Sequence, residues 1–301
     1  MTTAFSSVGL MGRESDPEVA KVAGRVVDLL ADAKVQVRVD AALKLPLGAG
    51  GAKAVSRADI AAHSDLIIVV GGDGTLLKAA HAIAARPVPL VGENLGKLGF
   101  LADITPEQLQ EDIVAILKGE FSREERLLLD SCVQRDGGKQ DCTPALNDVV
   151  IQKSDGGRLI EFETHVDGHF VCAHRADGII VATPTGSTAY ALSGGGPILH
   201  PAMDAMLLVP ICPHTLGDRP VVVAGGSRIE IVLTHHSHGG RAQVTWDGQR
   251  AEPLTMGERV QIKRADRRIT FIHPRGYDYY KILRTKLHWG RTKHGSGETH
   301  S

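Results

Sequence analysis

One short segment joins an apolar run to a helical pattern through glycines and carries a carboxylate at its centre. The segment is GGDGT, at Gly71–Thr75, and it follows the apolar run Leu66–Val70. Glycine turns before a helix commonly bind phosphate through backbone N–H groups. A carboxylate repels phosphate, so Asp73 either caps the helix through Thr75 or faces a substrate hydroxyl group. The spacing matches neither the dinucleotide fingerprint nor the P-loop.

A second glycine-rich segment is dense in hydroxyl groups. It runs from Asp177 to Leu199 and reads DGIIVATPTGSTAYALSGGGPIL. Many hydroxyl groups beside an apolar strand need either a polar ligand or backbone partners. Tyr190 has a face that can stack on a base and a hydroxyl group that can donate. The alternative is a plain surface loop, which does not explain so much patterned polarity.

An amide and a carboxylate precede a third apolar run. Asn147 and Asp148 begin the segment NDVVIQ. A carboxylate can accept hydrogen bonds from two ribose hydroxyl groups, and an amide both donates and accepts. The pair is therefore a candidate ribose-binding site, and a simple turn at the start of a strand is the alternative.

Strand and helix patterns alternate over the first third of the chain. Apolar runs at Val8–Met11, Val35–Val39, Leu66–Val70 and Val88–Val91 predict strands. The segment Val19–Leu30 has helical spacing, and Asp16 and Pro17 before it predict the N-cap and the first residue of that helix. This alternation predicts a parallel sheet flanked by helices.

The pattern changes near residue 121, where short strand-like runs separated by Gly, Asp and Pro begin. That pattern predicts a second domain rich in β-structure. Within it, the basic run Lys263–Arg268 is predicted to be a charged turn between two strands. The cluster of His235, His236 and His238 is predicted to be a solvated hairpin loop rather than a set of metal ligands.

The composition is that of an ordinary soluble globular protein. The 301 residues suggest about two domains, and 43% are hydrophobic and 23% charged. A net charge of -1 argues against a protein built mainly to hold nucleic acid. No signal peptide or membrane-spanning run is evident. The cysteines, at positions 132, 142, 172 and 212, have no C-x-x-C spacing, and we expect reduced thiols, neither disulfide-bonded nor metal-bound, in a cytoplasmic protein.

The order of these motifs resembles that of the NAD kinase family. The family's motifs occur here as GGDGT, NDVVI and DGIIVATPTGSTAYALSGGGPI, with NLGKLGFLAD, PICPHTL, DGQ and KLHWG at the connecting positions. The long TPTGSTAY segment is the most specific, since GGDGT also occurs in diacylglycerol-kinase-like and phosphofructokinase relatives. Departures are LSGGGP, where bacterial members more often read LSAGGP, and GDRP in a variable segment. Neither falls on a residue expected to be catalytic.

The resemblance implies an α/β plus all-β fold. A Rossmann-like parallel-sheet domain is expected over residues 1–125, and a β-sandwich domain that binds NAD over residues 126–272. A C-terminal segment, residues 273–301, is expected to return to the first domain, with a disordered tail after about residue 294.

The implied activity is ATP-dependent phosphorylation of the 2′-hydroxyl group of the adenosine ribose of NAD, which gives NADP. NAD would lie between the domains. ATP would act with a divalent cation, Mg²⁺, carried on the nucleotide phosphates rather than in a dedicated protein site. The expected protein is a cytoplasmic homo-oligomer, a dimer or a tetramer, with no nucleic-acid or membrane partner.

Motif matching also implies residue roles. Asp73 and Gly74 stand at the phosphoacceptor end, with Asp73 as the catalytic base. Lys78 and Arg158 match positions that vary more within the family. The residues expected to contact NAD are Asp73, Gly74, Lys78, Asn147, Asp148, Arg158, Arg175, Asp177, Thr188, Ala189, Tyr190, Ala191, Leu192, Ser193 and Gln249.

Two other functions stay open at this point. A diacylglycerol-kinase-like lipid kinase would use the same glycine turn, but the hydroxyl-rich segment and the lack of an apolar membrane-facing stretch count against it. A non-catalytic NAD(P)-binding sensor would keep the binding site, and the presence of Asp73 counts against it. The sequence does not decide whether polyphosphate replaces ATP or whether NADH is also a substrate.

Overall fold

The computed structural model describes residues 3–46, 51–96, 99–135, 142–154, 158–234 and 241–289. The predicted loop at His235, His236 and His238 and the predicted disordered tail after residue 294 lie outside these ranges.

The first part of the chain forms a parallel sheet with helices, as the alternating pattern predicts. Its strands follow the order β3-β2-β1-β4-β5 and all run parallel. The first helix begins where the sequence suggests, because the Asp16 carboxylate accepts from the backbone N–H of Glu18 and Pro17 is the first helical residue. The elements are β1 (Ser7–Gly12), α1 (Pro17–Asp32), β2 (Gln36–Asp40), β3 (Lys53–Val55), α2 (Arg57–His63), β4 (Leu66–Val70), α3 (Asp73–Ile83), β5 (Leu90–Glu93) and α4 (Leu109–Leu117).

The second part is mostly antiparallel β-structure. Its elements are β6 (Phe121–Gln134), β7 (Cys142–Ala145), β8 (Asp148–Lys153), β9 (Ile160–Val166), β10 (His169–Ala176), β11 (Gly178–Ala182), α5 (Tyr190–Ser193), β12 (Ala205–Ile211), β13 (Val221–Ala224), β14 (Arg228–Leu233), β15 (Ala242–Trp246), β16 (Arg250–Leu254), β17 (Arg259–Pro274) and α6 (Tyr279–Lys286). Short 3₁₀ turns occur at Ala41–Leu43 and Gly186–Thr188.

Two antiparallel sheets pack face to face in this part. One has the order β13-β12-β11-β8-β15-β16, and the other contains β10, β9, β14, β17, β6 and β7. Alternate residues of each strand point into a shared apolar core. Trp246 and Val181 contribute from the first sheet, and Phe162 and Ile231 from the second. The expected combination of a parallel-sheet domain and a β-sandwich is therefore confirmed.

The parallel sheet and one sheet of the sandwich are continuous where the two parts of the chain meet. β17 pairs with β5 in parallel at Phe271 and Leu90, and it pairs with β6 along its whole length. The parallel sheet therefore continues directly into one sheet of the sandwich. The boundaries at residues 125 and 272 stay predictions, since both long strands run through the two parts.

The predicted charged turn at Lys263–Arg268 is wrong. These residues belong to β17, and the pairing with β6 only shifts register between Arg264 and Arg268. Arg267 forms an ion pair with Asp130 of β6, with a 2.9 Å N–O distance. A β-bulge lets a strand continue past a run of charged residues, which a turn pattern in the sequence does not distinguish.

The expectation of four free thiols is also wrong. Cys132 on β6 and Cys142 on β7 lie opposite each other in an antiparallel pair and form a disulfide bond. Cys172 and Cys212 are free. Strand pairing brought the first two together, and spacing alone did not predict it.

The C-terminal helix contacts both parts of the chain. The Tyr279 hydroxyl donates to the carbonyl oxygen of Leu199 at 3.4 Å, and the Lys286 Nζ lies 5.7 Å from the centre of the Phe100 ring. Whether residues 273–301 form a separate returning segment stays a prediction. Within the described part of the chain, no helix is both long and apolar enough to cross a membrane.

Replacing Phe162 by Ala should destabilise the protein because Phe162 is 1% exposed and fills the sandwich core. We expect a loss of about 3–5 kcal/mol in the free energy of unfolding, measured by urea denaturation. Leu216→Ala is the control, since Leu216 is 92% exposed. Equal effects of the two substitutions would contradict the packing described here.

Candidate active site

The glycine turn connects β4 to α3 in a conformation that only glycine adopts easily. Gly71 has a φ of 141°, and a Cβ atom there would lie 2.6 Å from the Thr75 Oγ1. α3 then begins at Asp73, with Gly72 as its N-cap. The first N–H groups of a helix lack partners inside the helix and carry partial positive charge. The turn can therefore bind an anion.

The Asp73 side chain does not cap its own helix. No side-chain cap is present at the start of α3, and the two Asp73 oxygens accept from the backbone N–H of Phe100 at 3.0 Å and of Leu101 at 3.1 Å. These bonds fix the carboxylate between α3 and the segment after β5. A carboxylate has about four acceptor positions, so Asp73 can still accept from a hydroxyl group.

A cavity of about 510 Å³ lies beside the turn. Gly74, Thr75 and Lys78 of α3 line it, and Gln249 reaches it from the sandwich. Two further cations, Arg13 and Arg57, also line it. Three basic side chains at a helix N-terminus suit phosphate groups. Neither arginine belongs to a glycine motif, so neither was predicted from the sequence.

A second cavity, of about 470 Å³, contains the amide–carboxylate pair. Asn147 and Asp148 line it together with Ala189 and Tyr190, as the sequence analysis expects of NAD contacts. Tyr190 is 43% exposed, so its ring is free to stack on a ligand. The other lining residues, which the sequence analysis did not assign, are Val150, Gln152, Thr245, Asp247 and Gly248.

Asp247 holds the amide–carboxylate pair in place. The hairpin between β15 and β16 turns at Asp247 and Gly248, both with positive φ, as in a type I′ turn. The Asp247 carboxylate accepts from the backbone N–H groups of Leu146 at 2.8 Å, Asn147 at 2.7 Å and Asp148 at 2.9 Å. The DGQ motif contains this residue, but sequence analysis assigned only Gln249 within it.

α3 touches the same carboxylate. His81 Nε2 lies 2.8 Å from Asp247 Oδ2. His81 is two helical turns after Asp73 and therefore lies on the same face of the helix. One helix thus carries the candidate base at its N-terminus and a contact to the second cavity further along.

Asp148 lies in an environment that disfavours its charge. It is 5% exposed. Burial, and to a lesser extent the neighbouring charge of Asp247, raise the pKa of Asp148 to about 7. Its carboxyl group therefore changes charge near neutral pH.

Three of the six hydroxyl groups of the glycine-rich segment, those of Thr183, Ser187 and Thr188, bond to backbone rather than facing the cavities. Thr183 Oγ1 donates to the Leu146 carbonyl at 2.6 Å, and Ser187 Oγ donates to the Pro184 carbonyl at 2.6 Å. Thr188 Oγ1 donates to a backbone carbonyl as well. The segment packs tightly on Asn147, because a Cβ atom on Gly186 would lie 2.1 Å from the Asn147 carbonyl oxygen. The hydroxyl groups therefore hold the loop against the amide–carboxylate pair.

A buried polar network links this loop to the segment that binds Asp73. Arg126, 2% exposed, donates to Thr185 Oγ1 at 3.3 Å and pairs with Glu124 at 2.7 Å. His273 contacts Glu124 and Asp103. Burial alone would raise the pKa of Glu124, but the contacts with His273 and Arg126 outweigh burial and lower that pKa to about 2. Glu124 is therefore ionised at neutral pH, and the network ties β6 and β17 to the glycine-rich segment and to the segment that binds Asp73.

The expected NAD contacts Gly74, Lys78 and Gln249 line the cavity beside the glycine turn rather than the one with Asn147 and Asp148. Three others, Arg158, Arg175 and Asp177, line neither cavity. β8 and β11 are antiparallel, with Asp148 opposite Ala182 and Gln152 opposite Gly178. Asp177 therefore lies at the other end of β8 from Asp148, on the order of 17 Å away, where it pairs with Lys153. Arg158 follows β8 at that end, and Arg175 on β10 contacts Glu161. Their assignment to the NAD site stays a prediction.

Family models match both parts of the chain. One described as the ATP-NAD kinase N-terminal domain matches residues 8–121, and one described as the ATP-NAD kinase C-terminal domain matches residues 146–274. The chain belongs to the NAD kinase family. The first match contains the glycine turn with Asp73, and the second contains Asp148 and Asp247.

Curated NAD kinases are similar over nearly the whole chain. The NAD kinase of Nitrosococcus oceani is 43% identical over 97% of this chain and 99% of its own. That of Aromatoleum aromaticum is 44% identical over 97% of both chains. That of Thiobacillus denitrificans is 51% identical over 77% of this chain and 79% of its own.

Two solved structures share the fold. An NAD kinase from Archaeoglobus fulgidus in complex with ATP has a TM-score of 0.71 and 26% identity, and covers 94% of this chain and 97% of its own. A yeast NADH kinase in complex with NADH has a TM-score of 0.87 and 23% identity, with 95% and 89% coverage. At that identity the yeast enzyme supports the NAD kinase fold alone.

Removing the Asp247 carboxylate should lower both the stability of the protein and its affinity for NAD. Asp247→Ala leaves three backbone N–H groups without their acceptor, and we expect a loss of about 3 kcal/mol or more in the free energy of unfolding. Asp247→Asn keeps one acceptor oxygen, so its free energy of unfolding should lie between those of the wild type and Asp247→Ala. Thermal melts and calorimetric titration with NAD measure both effects. An Asp247→Ala protein that melts like the wild type would contradict this role.

Proposed function

We propose that the chain transfers the terminal phosphoryl group of ATP to the 2′-hydroxyl group of the adenosine ribose of NAD, giving NADP. Membership of the NAD kinase family supports this activity. The observation that carries the proposal is the hairpin turn between β15 and β16. Asp247 and Gly248 line the second cavity, which contains Asn147 and Asp148. Gln249 lines the cavity beside the glycine turn, which contains the three basic side chains. A phosphate donor and a ribose acceptor can therefore bind on adjacent sides of one turn.

The cavity beside the glycine turn is proposed to hold the phosphates of ATP. Lys78, Arg13 and Arg57 supply positive charge, and the N-terminus of α3 supplies N–H groups. The Arg57 guanidinium is positioned by Asp40, at 2.6 Å, and by Glu14, at 2.9 Å. Fixed cations stabilise the charge that spreads over the phosphoryl oxygens during transfer.

The second cavity is proposed to hold NAD. Asn147 and Asp148 would bind a ribose through hydroxyl groups, and Tyr190 would stack on a base. The neighbouring residues Thr188, Ala189, Ala191, Leu192 and Ser193 would shape the wall. Arg158, Arg175 and Asp177 are kept as proposed NAD contacts, at the far end of the sandwich strands.

Asp73 is proposed as the base. Its bonds to the backbone of Phe100 and Leu101 hold the carboxylate in one orientation. Phosphoryl transfer depends mainly on positioning and charge stabilisation. A fixed carboxylate can orient the attacking 2′-hydroxyl group and accept its proton as the new P–O bond forms.

The site fits a magnesium ion carried by the nucleotide. Mg²⁺ usually keeps phosphate and water ligands and takes one or two carboxylates. Glu14, at the cavity wall, is the carboxylate that could hold it. When bound, the ion would neutralise part of the phosphate charge. The other charged side chains that line the cavity are basic and cannot bind a metal ion. The cavity therefore suits an ion carried by phosphate groups better than one held by protein ligands alone.

We also propose that the enzyme is a cytoplasmic homo-oligomer, a dimer or a tetramer. Apolar side chains are exposed on the two edge strands of the sandwich: Phe170 and Val171 on β10, and Val221 and Val222 on β13. Exposed apolar groups on edge strands are suited to contacts between copies.

The test of the proposed function is NADP formation by the purified chain from NAD and ATP with Mg²⁺, detected with an NADP-specific dehydrogenase. The control variant is Asp73→Asn, which removes the base. We expect kcat to fall by about 10²–10⁴, while the melting temperature and NAD affinity stay near the wild type. A wild-type protein that binds NAD and forms no NADP would support the sensor function instead. A variant that keeps most of its kcat would remove Asp73 from the chemistry.

NAD affinity should depend on pH through Asp148. The ionised carboxylate is the form that accepts from ribose, and a raised pKa means that a proton competes with NAD as the pH falls through about 7. We expect calorimetry without ATP to show about tenfold weaker binding at about pH 6 than at about pH 8. Asp148→Asn should bind weakly and without this dependence. Tighter binding of NAD to the wild type at the lower pH would contradict the proposed role.

A further inference from the structure

A cysteine, a histidine and an aspartate converge at one edge of the sandwich. Cys172 and His174 lie on β10, and Asp218 lies in the segment between β12 and β13. One ligand atom from each side chain lies within 4.8 Å of the other two. Among the residues that the structure describes, no other three His, Cys, Asp or Glu side chains meet in this way. The group lines a cavity of about 340 Å³ that shares no lining residue with the two cavities of the kinase site.

The sequence on β10 explains why two of these side chains point the same way. Residues two apart in a strand lie on the same face of the sheet. Cys172 and His174 are both partly buried, whereas Ala173 and Arg175 between and after them are exposed. The C-x-H pattern on a strand therefore forms one half of a chelating site.

The remaining ligand is held in position by its own segment. His174 Nδ1 lies 3.1 Å from Asp218 Oδ2, and the two side chains are only 8% and 10% exposed. The Phe162 ring stacks on the imidazole, with 5.0 Å between centres. The backbone N–H of His214 donates to the Arg175 carbonyl at 2.9 Å, which anchors the Asp218 segment to β10. These contacts fix the positions of His174 and Asp218 relative to each other.

The chemistry of this group is that of a zinc site. Thiolate, imidazole and carboxylate are the ligands that Zn²⁺ takes in proteins, at about 2.0–2.3 Å, so that two ligands of one tetrahedral ion lie roughly 3.5 Å apart. The histidine and aspartate atoms, 3.1 Å apart, already meet this separation, and the cysteine sulfur lies within 4.8 Å of both. Magnesium, the ion of the kinase reaction, prefers oxygen ligands and would not select this group.

We propose that Cys172, His174 and Asp218 bind a zinc-class transition-metal ion through three protein ligands. The fourth position of the tetrahedron opens towards the cavity and is free for water or a small donor. Binding exchanges the Cys172 thiol proton, which leaves to solvent, for a sulfur–metal bond. The ion would clamp the segment that carries Asp218 onto β10.

The competing interpretation is a metal-free ion pair. His174 and Asp218 alone could anchor the segment to β10, and Cys172 would then be an ordinary partly buried thiol. The two interpretations differ in whether Cys172 matters, so substitutions at the cysteine decide between them.

The experiment titrates the purified full chain with Co²⁺ as a spectroscopic substitute for Zn²⁺, without NAD, ATP or Mg²⁺. We expect tetrahedral d–d bands and a thiolate-to-cobalt charge-transfer band, both displaced by Zn²⁺. Cys172→Ser should abolish the charge-transfer band, and His174→Ala should weaken Co²⁺ binding by more than about 100-fold. The matched control is Cys212→Ser, since Cys212 is the other free cysteine and is exposed at the start of the same segment.

Stability provides a second readout that does not depend on colour. Zn²⁺ should raise the melting temperature of the wild type and of Cys212→Ser, but not that of Cys172→Ser. A wild type without a charge-transfer band would overturn the proposal, as would equal Co²⁺ binding by the wild type and Cys172→Ser. Loss of the band in Cys212→Ser would show that the wrong cysteine had been assigned. None of these readouts uses kinase activity, so the outcome is independent of the proposed function.

Discussion

The Asp247 carboxylate is the interaction on which the candidate site depends. It lies in a hairpin turn of the sandwich, accepts three consecutive backbone N–H groups at the start of β8, and contacts His81 of the parallel-sheet domain. Backbone groups bound in this way cannot rotate, so the side chains of Asn147 and Asp148 leave the chain in fixed directions. The same interaction has an electrostatic consequence. Burial is the main reason that the pKa of Asp148 is raised to about 7, and the neighbouring charge of Asp247 adds to it.

The continuous sheet explains how site residues that are far apart in the chain are held in fixed relative positions. β6 and β17 run through both parts of the molecule. Arg126 on β6 contacts Thr185 of the glycine-rich segment, and His273 on β17 contacts Asp103 of the segment that binds Asp73. A charged buried network is costly unless every member has a partner, so it favours one relative placement of the loops. Catalysis by positioning requires that kind of rigidity.

Local patterns predicted the parts of the structure that are themselves local. The glycine turn after a buried strand, the cap at Asp16 and the alternation of strands with helices all depend on neighbours in sequence, and each was predicted. The contacts of Asp247 span about a hundred residues, and the pairing of Cys132 with Cys142 depends on strand register. Neither leaves a spacing signal. The hydroxyl-rich segment was only partly predictable. Its polarity is visible in the sequence, but whether a hydroxyl group such as that of Thr183 bonds to a ligand or to a backbone carbonyl depends on tertiary packing.

The geometry of Asp73 explains how a carboxylate can lie in an anion-binding turn. The backbone N–H groups of α3 point along the helix axis towards the cavity with three cations, whereas the Asp73 oxygens turn aside to Phe100 and Leu101. Two N–H bonds offset part of the carboxylate charge, and the cations offset that of the phosphates. Gly99 is part of this arrangement, because a Cβ atom there would lie 2.2 Å from Asp73 Oδ1. The turn can therefore present N–H groups to a phosphate and a carboxylate to a hydroxyl, which are the two partners that a phosphoryl transfer has to bring together.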